Sequence, residues 1–227
     1  MAARQWRLLS AYRGPARQDV ALCWDNQPIP NGARRPEERV TAQQFLDEVS
    51  ATVATDAGML VLWDPQRFQA VVDDDTWEEE LLGDEDIVGH IRAGCLVPLN
   101  VGGDGAFGVL VRAGTAAAPA TLTGRETAHQ LVASRPYLFV SRGRALVSGI
   151  EHVSADVPDG VLEHRVPAGR CAVVVHLIDW QAETGSQDKN GQPLSGALPD
   201  FVVLINPAQP GQGTFRTAVN TFDAPNG

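Results

Sequence analysis

The sequence has few cysteines and no long apolar segment, and each shortage excludes a class of protein. The three cysteines, Cys23, Cys95 and Cys171, lie far apart and form no C-x-x-C pair. We therefore expect buried free thiols rather than a disulfide framework. The longest apolar run, residues 171–178, is too short for a transmembrane helix. The arginine-rich first residues lack the apolar core of a secretory signal. An organelle transit peptide remains an alternative interpretation of this segment. These features predict a soluble cytoplasmic protein without a membrane partner.

Familiar catalytic and metal-binding motifs are also missing. The chain has no G-x-S-x-G, H-E-x-x-H or H-x-H pattern. The glycine-rich residues 102–108 lack the Gly-Lys-Ser/Thr of a P-loop and predict a tight turn instead. We predict no catalytic residue, no metal ligand and no cofactor. The alternative hypothesis is an enzyme or small-ligand-binding β protein with its site around His152, His164 and His176, with Asp179 as a further polar candidate.

Basic residues are outnumbered by acidic ones, 18 to 28, and the formal net charge is −10. A surplus of this sign repels phosphate, so we expect no nucleic-acid partner. The surplus is concentrated in residues 73–86, called here the acidic segment, which contain nine acidic residues and neither Lys nor Arg. The rest of the chain is nearly neutral, with 19 acidic and 18 basic residues. The nine acids are Asp73, Asp74, Asp75, Glu78, Glu79, Glu80, Asp84, Glu85 and Asp86.

The acidic segment has three possible interpretations. Like charges at this spacing repel one another, so the segment must lie in solvent or face a cationic partner. It is a solvated surface insertion, a docking face for a basic protein, or a site for divalent ions, although it does not match an EF-hand loop. Trp77 lies within the segment, and a Trp surrounded by carboxylates is typical of an interface hot spot with a polar rim. We therefore include Trp77 with the nine acids in the predicted partner-binding site.

Short apolar runs dominate the rest of the chain and predict β-strands. Runs at residues 20–24, 59–63, 107–111, 171–180 and 201–205 are bounded by Gly, Pro and polar residues. Further pairs of runs, 59–63 with 68–72 and 137–140 with 145–150, suggest hairpins.

Helices are predicted at only a few places. Capping-box spacings at Thr41/Gln44 and Thr123/Glu126 predict helices over 42–54 and 124–133. A short helix is also expected around Trp77. The sequence thus predicts a mainly β (α+β) fold of antiparallel sheets, with two or three short helices.

A small-residue stretch suggests where the chain divides. Residues 113–121 carry no charge and little to bury, as linkers do. We predict an N-terminal β-rich half at 1–112 with one helix and the acidic insertion at 73–86. A linker with a short helix follows at 113–136. The C-terminal antiparallel half spans 137–227 and ends in a polar tail.

Two segments carry a resemblance to a known class of proteins. They are the glycine turn and strand at 99–111, and residues 153–180, in which Val-Pro-x-Gly precedes a long apolar strand. Together they resemble small β-rich bacterial immunity-type proteins and the nuclease inhibitors of competence systems. The resemblance implies a non-enzymatic, intracellular bacterial protein that binds and neutralises a cognate toxin or nuclease. Joined to the acidic segment, it predicts a basic protein partner. No binding residue can be carried over from that class by position.

Overall fold

The computed structural model describes residues 48–211 and 213–222, and in them the chain is mainly β, as the sequence predicts. Within these residues, ten strands form two sheets, and three α-helices lie among them. The elements are β1 (Glu48–Thr55), β2 (Met59–Trp63), α1 (Asp74–Leu81), α2 (Asp84–Ala93), β3 (Leu96–Asn100), β4 (Gly105–Ala113), α3 (Gly124–Ala128), β5 (Gln130–Ala133), β6 (Tyr137–Ser141), β7 (Arg144–Gly149), β8 (Leu162–Arg165), β9 (Gly169–Ile178) and β10 (Phe201–Pro207).

The larger sheet has six strands in the order β1-β4-β10-β9, and the far edge of β9 is shared by β5 and β6. The β4–β10 pair is parallel, with Val203 opposite Val111, and the other pairs are antiparallel. The smaller sheet has the order β3-β2-β7-β8 and is antiparallel throughout.

Both sheets contribute side chains to one hydrophobic core. Side chains alternate between the two faces of a strand, and Val109, Val203 and Val175 of the larger sheet point into this core. Leu60 and Leu62 of the smaller sheet are buried there too. A second cluster lies on the opposite face of the larger sheet, where the intervening residues of the same strands point. The larger sheet is therefore buried on both faces, which explains why the sequences of β9 and β10 are continuous apolar runs.

The predicted linker covers part of that second cluster. Ala120 is buried there, and the Asn206 side chain bonds both its backbone N–H, at 2.7 Å, and its carbonyl, at 3.0 Å. The two predicted halves also share both sheets, since β4 pairs with β10 and β2 pairs with β7. Residues 113–136 include the end of β4 and the whole of β5, so both ends of the predicted linker belong to the larger sheet.

The helix predicted over 42–54 is wrong for its described part, because residues 48–54 belong to strand β1. Residues 42–47, like the predicted strand at 20–24, lie outside the described residues. The spacing of Val49 and Val53 suits a helix, but it equally places both on one face of a strand. Pairing along the whole of β4, together with the β-branched residues of β1, favours the strand.

Two predicted hairpins are also wrong in their pairing. Residues 68–72 form no strand, because the edges of β2 are taken by β3 and β7. Phe68 instead packs edge-on against Trp63, with ring centroids 5.8 Å apart. Strands β6 and β7 do not pair with each other either, because the turn at 141–144 carries the chain from one sheet to the other.

The capping box predicted at Thr123 and Glu126 is present, but α3 stops at Ala128. Residues 130–133 then form β5 rather than continuing the predicted helix, because they pair with the edge of β9. Within the part of the chain that is described, no helix combines the length and apolar character needed to cross a membrane.

Candidate acidic docking surface

The acidic segment folds into the helix pair α1 and α2. Asp73 caps α1: its carboxylate accepts the backbone N–H of Thr76 at 2.9 Å, and the Thr76 hydroxyl accepts the N–H of Asp73 at 3.0 Å. The Thr76 hydroxyl also donates to the Asp73 carboxylate at 2.6 Å, and this bond, together with the one from the Thr76 backbone, holds the pKa of Asp73 below its ordinary value. The cap thus fixes the place where the acidic surface begins.

Five of the nine acids lie in first helical turns, where negative charge interacts favourably with the helix dipole. Asp74 and Asp75 are in the first turn of α1, and Asp84, Glu85 and Asp86 are in the first turn of α2. Splitting the segment into two short helices provides two such turns. This arrangement lets the chain carry so many like charges without a basic residue among them.

The helix pair is anchored to the body of the protein by its apolar residues. Leu81, Ile87 and Ile91 are buried in the main core. Trp77 is half-buried, and its indole N–H donates to the carbonyl of Ile150 at 3.0 Å. Trp77 therefore holds α1 in place with its polar edge already bonded, and the structure does not present it as a free aromatic side chain.

The acidic side chains themselves remain outside the core. Eight of the nine are exposed, and Glu80 is half-buried. The Nε2 atom of His90 lies 3.0 Å from the carboxylate of Glu80 and 3.1 Å from its backbone carbonyl, linking the two helices. The result is an exposed acidic surface on two helices anchored in the core, called here the acidic helix pair (α1 and α2 with their capping residues).

Two apolar side chains at the ends of α1 were missed by the sequence analysis. Val72 is 67% exposed and Leu82 is 64% exposed, the highest values among the large hydrophobic residues described. Leu81 and Leu82 are adjacent in the sequence, and a helix can bury only one of two successive residues against a single neighbour. The exposure of one of these two leucines could therefore have been predicted from the sequence. The exposure of Val72 could not, because it depends on where the chain turns into α1.

The three histidines of the alternative site do not meet. His164 lies on the core-facing side of β8, opposite Ala145, whereas His176 lies on the outer face of the larger sheet. The Nδ1 atom of His176 lies 2.9 Å from the Gln130 side-chain oxygen, and burial lowers the pKa of His176. His152 is exposed after β7. Nowhere in the described residues do three His, Cys, Asp or Glu side chains gather in a way that could hold a metal ion.

The described cysteines are buried free thiols, as the sequence predicts for them. Burial raises the pKa of Cys171 to about 11 and also raises the pKa of Cys95. Both thiols are therefore protonated and poorly nucleophilic at neutral pH.

Comparisons with known proteins place the chain in no family. No protein-family model matches it, and no curated protein does. Two solved structures are similar. A chain named "Crocagin biosynthetic gene J" is 17% identical, covering 71% of this chain and 96% of that one, with a TM-score of 0.47. ComJ from Bacillus subtilis, an inhibitor of the DNA-degrading activity of NucA, is 9% identical, covering 70% and 96%, with a TM-score of 0.40. ComJ belongs to the class, nuclease inhibitors, that the sequence resemblance names, but likenesses this distant carry no argument about function.

Proposed function

We propose that this chain is a binding protein that holds a basic protein partner on its acidic helix pair and thereby inhibits it. The observation that carries the proposal is the joint exposure of the carboxylates on helices anchored in the core and of two apolar side chains, Val72 and Leu82, at the two ends of α1. Exposed carboxylates alone would not indicate a partner, because water solvates them. Exposed apolar groups beside that charge are what a docking surface needs, because their burial adds contact energy to the electrostatic attraction.

The two kinds of group have different roles in this proposal. The carboxylates steer a positively charged partner towards the surface and increase the rate of association. Val72 and Leu82 would become buried once the partner docks, and they slow its release. Trp77 keeps α1 in position against Ile150, so little ordering is required on binding.

Inhibition follows from the chemistry of partners that bind polyanions. A nuclease, or a toxin that acts on nucleic acid, needs a basic surface to attract phosphate. An array of carboxylates on anchored helices competes for that same basic surface. We therefore infer that the partner is an enzyme or toxin of this type, for which the chain would serve as an inhibitor or immunity protein.

The test compares two variants with the same change in charge. Asp75→Asn/Glu78→Gln/Glu79→Gln removes three exposed carboxylates of α1 and leaves the capping residue Asp73 intact. The matched control, Asp56→Asn/Asp104→Asn/Asp159→Asn, removes three exposed carboxylates from other loops. Each tagged protein is used to capture partners from its source cells at 50 and 300 mM NaCl, and the captured proteins are identified by mass spectrometry.

The proposal predicts a basic protein that the wild type and the control retain at low salt, and that the α1 variant loses. The catalytic activity of that partner should fall when the wild-type chain is added. Equal capture by the α1 variant and the control would contradict the proposed surface. Capture without a loss of the partner's activity would contradict the proposed inhibition.

A further inference from the structure

A group of arginines lies where two of the chain's crossings between the sheets, β6 to β7 and β8 to β9, come together. Arg67 follows β2, Arg142 and Arg144 flank the turn between β6 and β7, and Arg165 and Arg170 flank the turn between β8 and β9. These five residues are called here the arginine corner. The sequence analysis overlooked it because the five residues are spread over about a hundred positions of the chain.

Hydrogen bonds fix the three segments of the corner against one another. The buried carboxylate of Asp64 accepts the backbone N–H of Gln66 at 3.0 Å and that of Arg142 at 2.9 Å. The Arg142 guanidinium also donates to the side-chain oxygen of Gln66 at 3.1 Å, which places it beside the segment that carries Arg67.

The third segment joins the corner through β-sheet pairing. Arg144 lies directly opposite Arg165 in the β7–β8 ladder, and Val140 lies opposite Arg170 in the β6–β9 ladder. The N–H of Val166 donates to the carbonyl of Gly143 at 3.2 Å. The backbone thus holds all five arginines at one corner, whatever their side-chain rotamers.

Most of this positive charge is not neutralised. Arg144 pairs with Glu163 at 2.8 Å, but the other four arginines are exposed and have no carboxylate partner among the described residues. Arg170 lies 5.9 Å from the ring centroid of Phe215, which orients its guanidinium without reducing its charge. Segments 64–67, 141–144 and 163–170 together hold five arginines against two carboxylates. By contrast, Arg112 and Arg125 elsewhere in the molecule are each paired with Glu.

We infer that the arginine corner is a second interaction surface, which binds a short acidic segment of a protein. Guanidinium groups recognise carboxylates through paired, charge-assisted hydrogen bonds. Several unpaired guanidiniums held close together repel one another, and an anionic ligand removes that repulsion. The four unpaired arginines of the corner are exposed, so the corner suits an extended peptide better than an enclosed small molecule.

The position of α2 favours an acidic peptide over a nucleic acid. The helix ends beside the corner, where the carbonyl of Gly94 accepts the N–H of Val140 at 2.7 Å. A long polyanion extending from the corner along α2 would reach the carboxylates of Asp84, Glu85 and Asp86 in the first turn of that helix. A short acidic segment contacts the arginines without extending beyond them. The five arginines lie outside the acidic helix pair, and this inference does not depend on the proposed function.

The test uses defined probes and another pair of variants with equal charge change. Arg165→Gln/Arg170→Gln removes two exposed, unpaired cations of the corner. The matched control, Arg125→Gln/Lys189→Gln, removes two exposed cations elsewhere. A fluorescently labelled octaglutamate peptide and a labelled octathymidylate are titrated with each protein at 50 mM NaCl, and binding is followed by anisotropy.

We expect the wild type and the control to bind octaglutamate more tightly than octathymidylate. The corner variant should bind octaglutamate at least about tenfold more weakly, since two charge-assisted pairs are lost. Tighter binding of octathymidylate would overturn the inference in favour of nucleic acid. Equal weakening by both variants would show an effect of net charge alone, and absence of octaglutamate binding by the wild type would also overturn it.

Discussion

Arg112 and Glu126 form a nearly fully buried ion pair, with an N–O distance of 2.9 Å. Burial alone would raise the pKa of Glu126, but hydrogen bonds from Arg112 and Thr123 outweigh it and hold the pKa below the ordinary value of 4.5. Arg112 also bonds Glu48 and the carbonyl of Thr121. The pair therefore joins β1, β4 and the start of α3.

The first prediction is that Glu126→Gln destabilises the fold by about 3 kcal/mol, because it leaves a buried guanidinium without its main partner. Urea unfolding at pH 7 measures the change, with exposed Glu79→Gln as the control.

Because the folded-state pKa of Glu126 is depressed, its contribution to stability is present above pH 4.5 and is lost as the pH falls through the folded pKa. The stability difference between wild type and variant should shrink on acidification. A constant difference down to pH 3 would contradict this role.

The second prediction concerns Cys171. Burial raises the pKa of its thiol to about 11. At pH 8 only about one thiol in a thousand is then the reactive thiolate. Iodoacetamide should label Cys171 far more slowly in the folded protein than in urea, as measured by peptide mass spectrometry. Rapid labelling of Cys171 in the native protein would contradict the burial described here.

The third prediction separates anchoring from binding at Trp77. Trp77→Phe removes the indole hydrogen bond to Ile150 and should cost about 1 kcal/mol in the free energy of unfolding. Partner affinity should change little, because the ring faces the protein body. A large loss of affinity with unchanged stability would instead make Trp77 the hot spot that the sequence suggested.

At the scale of secondary-structure elements, α2 is held by its glycine terminus. Gly94 has φ +73°, and a Cβ atom there would lie 2.7 Å from a methyl carbon of Val140. Gly89, in the same helix, is exposed and has open space around it. The fourth prediction is that Gly94→Ala destabilises by about 2 kcal/mol, whereas Gly89→Ala stabilises by about 0.5 kcal/mol. Thermal unfolding of both variants tests this, and equal effects would contradict the assigned terminus.

The sequence predicts most strands but few of their partners. β2, β9 and β10 are continuous apolar runs because both faces of each are buried, and that composition is readable without a structure. Pairing is different, because a turn such as 141–144 looks the same whether it closes a hairpin or carries the chain to the other sheet. Local spacing also failed at β1, where long-range pairing with β4 decides the conformation.

The candidate site shows the same division between local and long-range information. The charge of the acidic segment and a short helix around Trp77 follow from composition and the spacing of apolar residues, whereas the division into α1 and α2 does not. The inward position of Trp77 does not, because its bonding partner Ile150 is 73 residues away. The arginine corner is likewise not predictable from the sequence, since its members are brought together only by the β6–β7 and β8–β9 crossings between the sheets.

At the scale of the whole molecule, the charge is separated into regions rather than spread evenly. The acidic helix pair accounts for nine negative charges, and the arginine corner contributes unpaired positive charge. A molecule of this kind interacts with partners through local fields whose range is about 8–10 Å at physiological salt. Net charge alone therefore does not describe how either surface would interact with a ligand, and each surface has to be tested with its own variant.

The most direct test of the proposed function is the salt dependence of partner binding by the α1 variant. The dissociation constant of the captured partner is measured by calorimetry between 50 and 300 mM NaCl, for the wild type and for Asp75→Asn/Glu78→Gln/Glu79→Gln. We predict that wild-type binding weakens at least about tenfold over this range, and that the variant binds more weakly at 50 mM with a flatter salt dependence. Equal affinities and equal slopes for the two proteins would contradict the acidic helix pair as the binding surface.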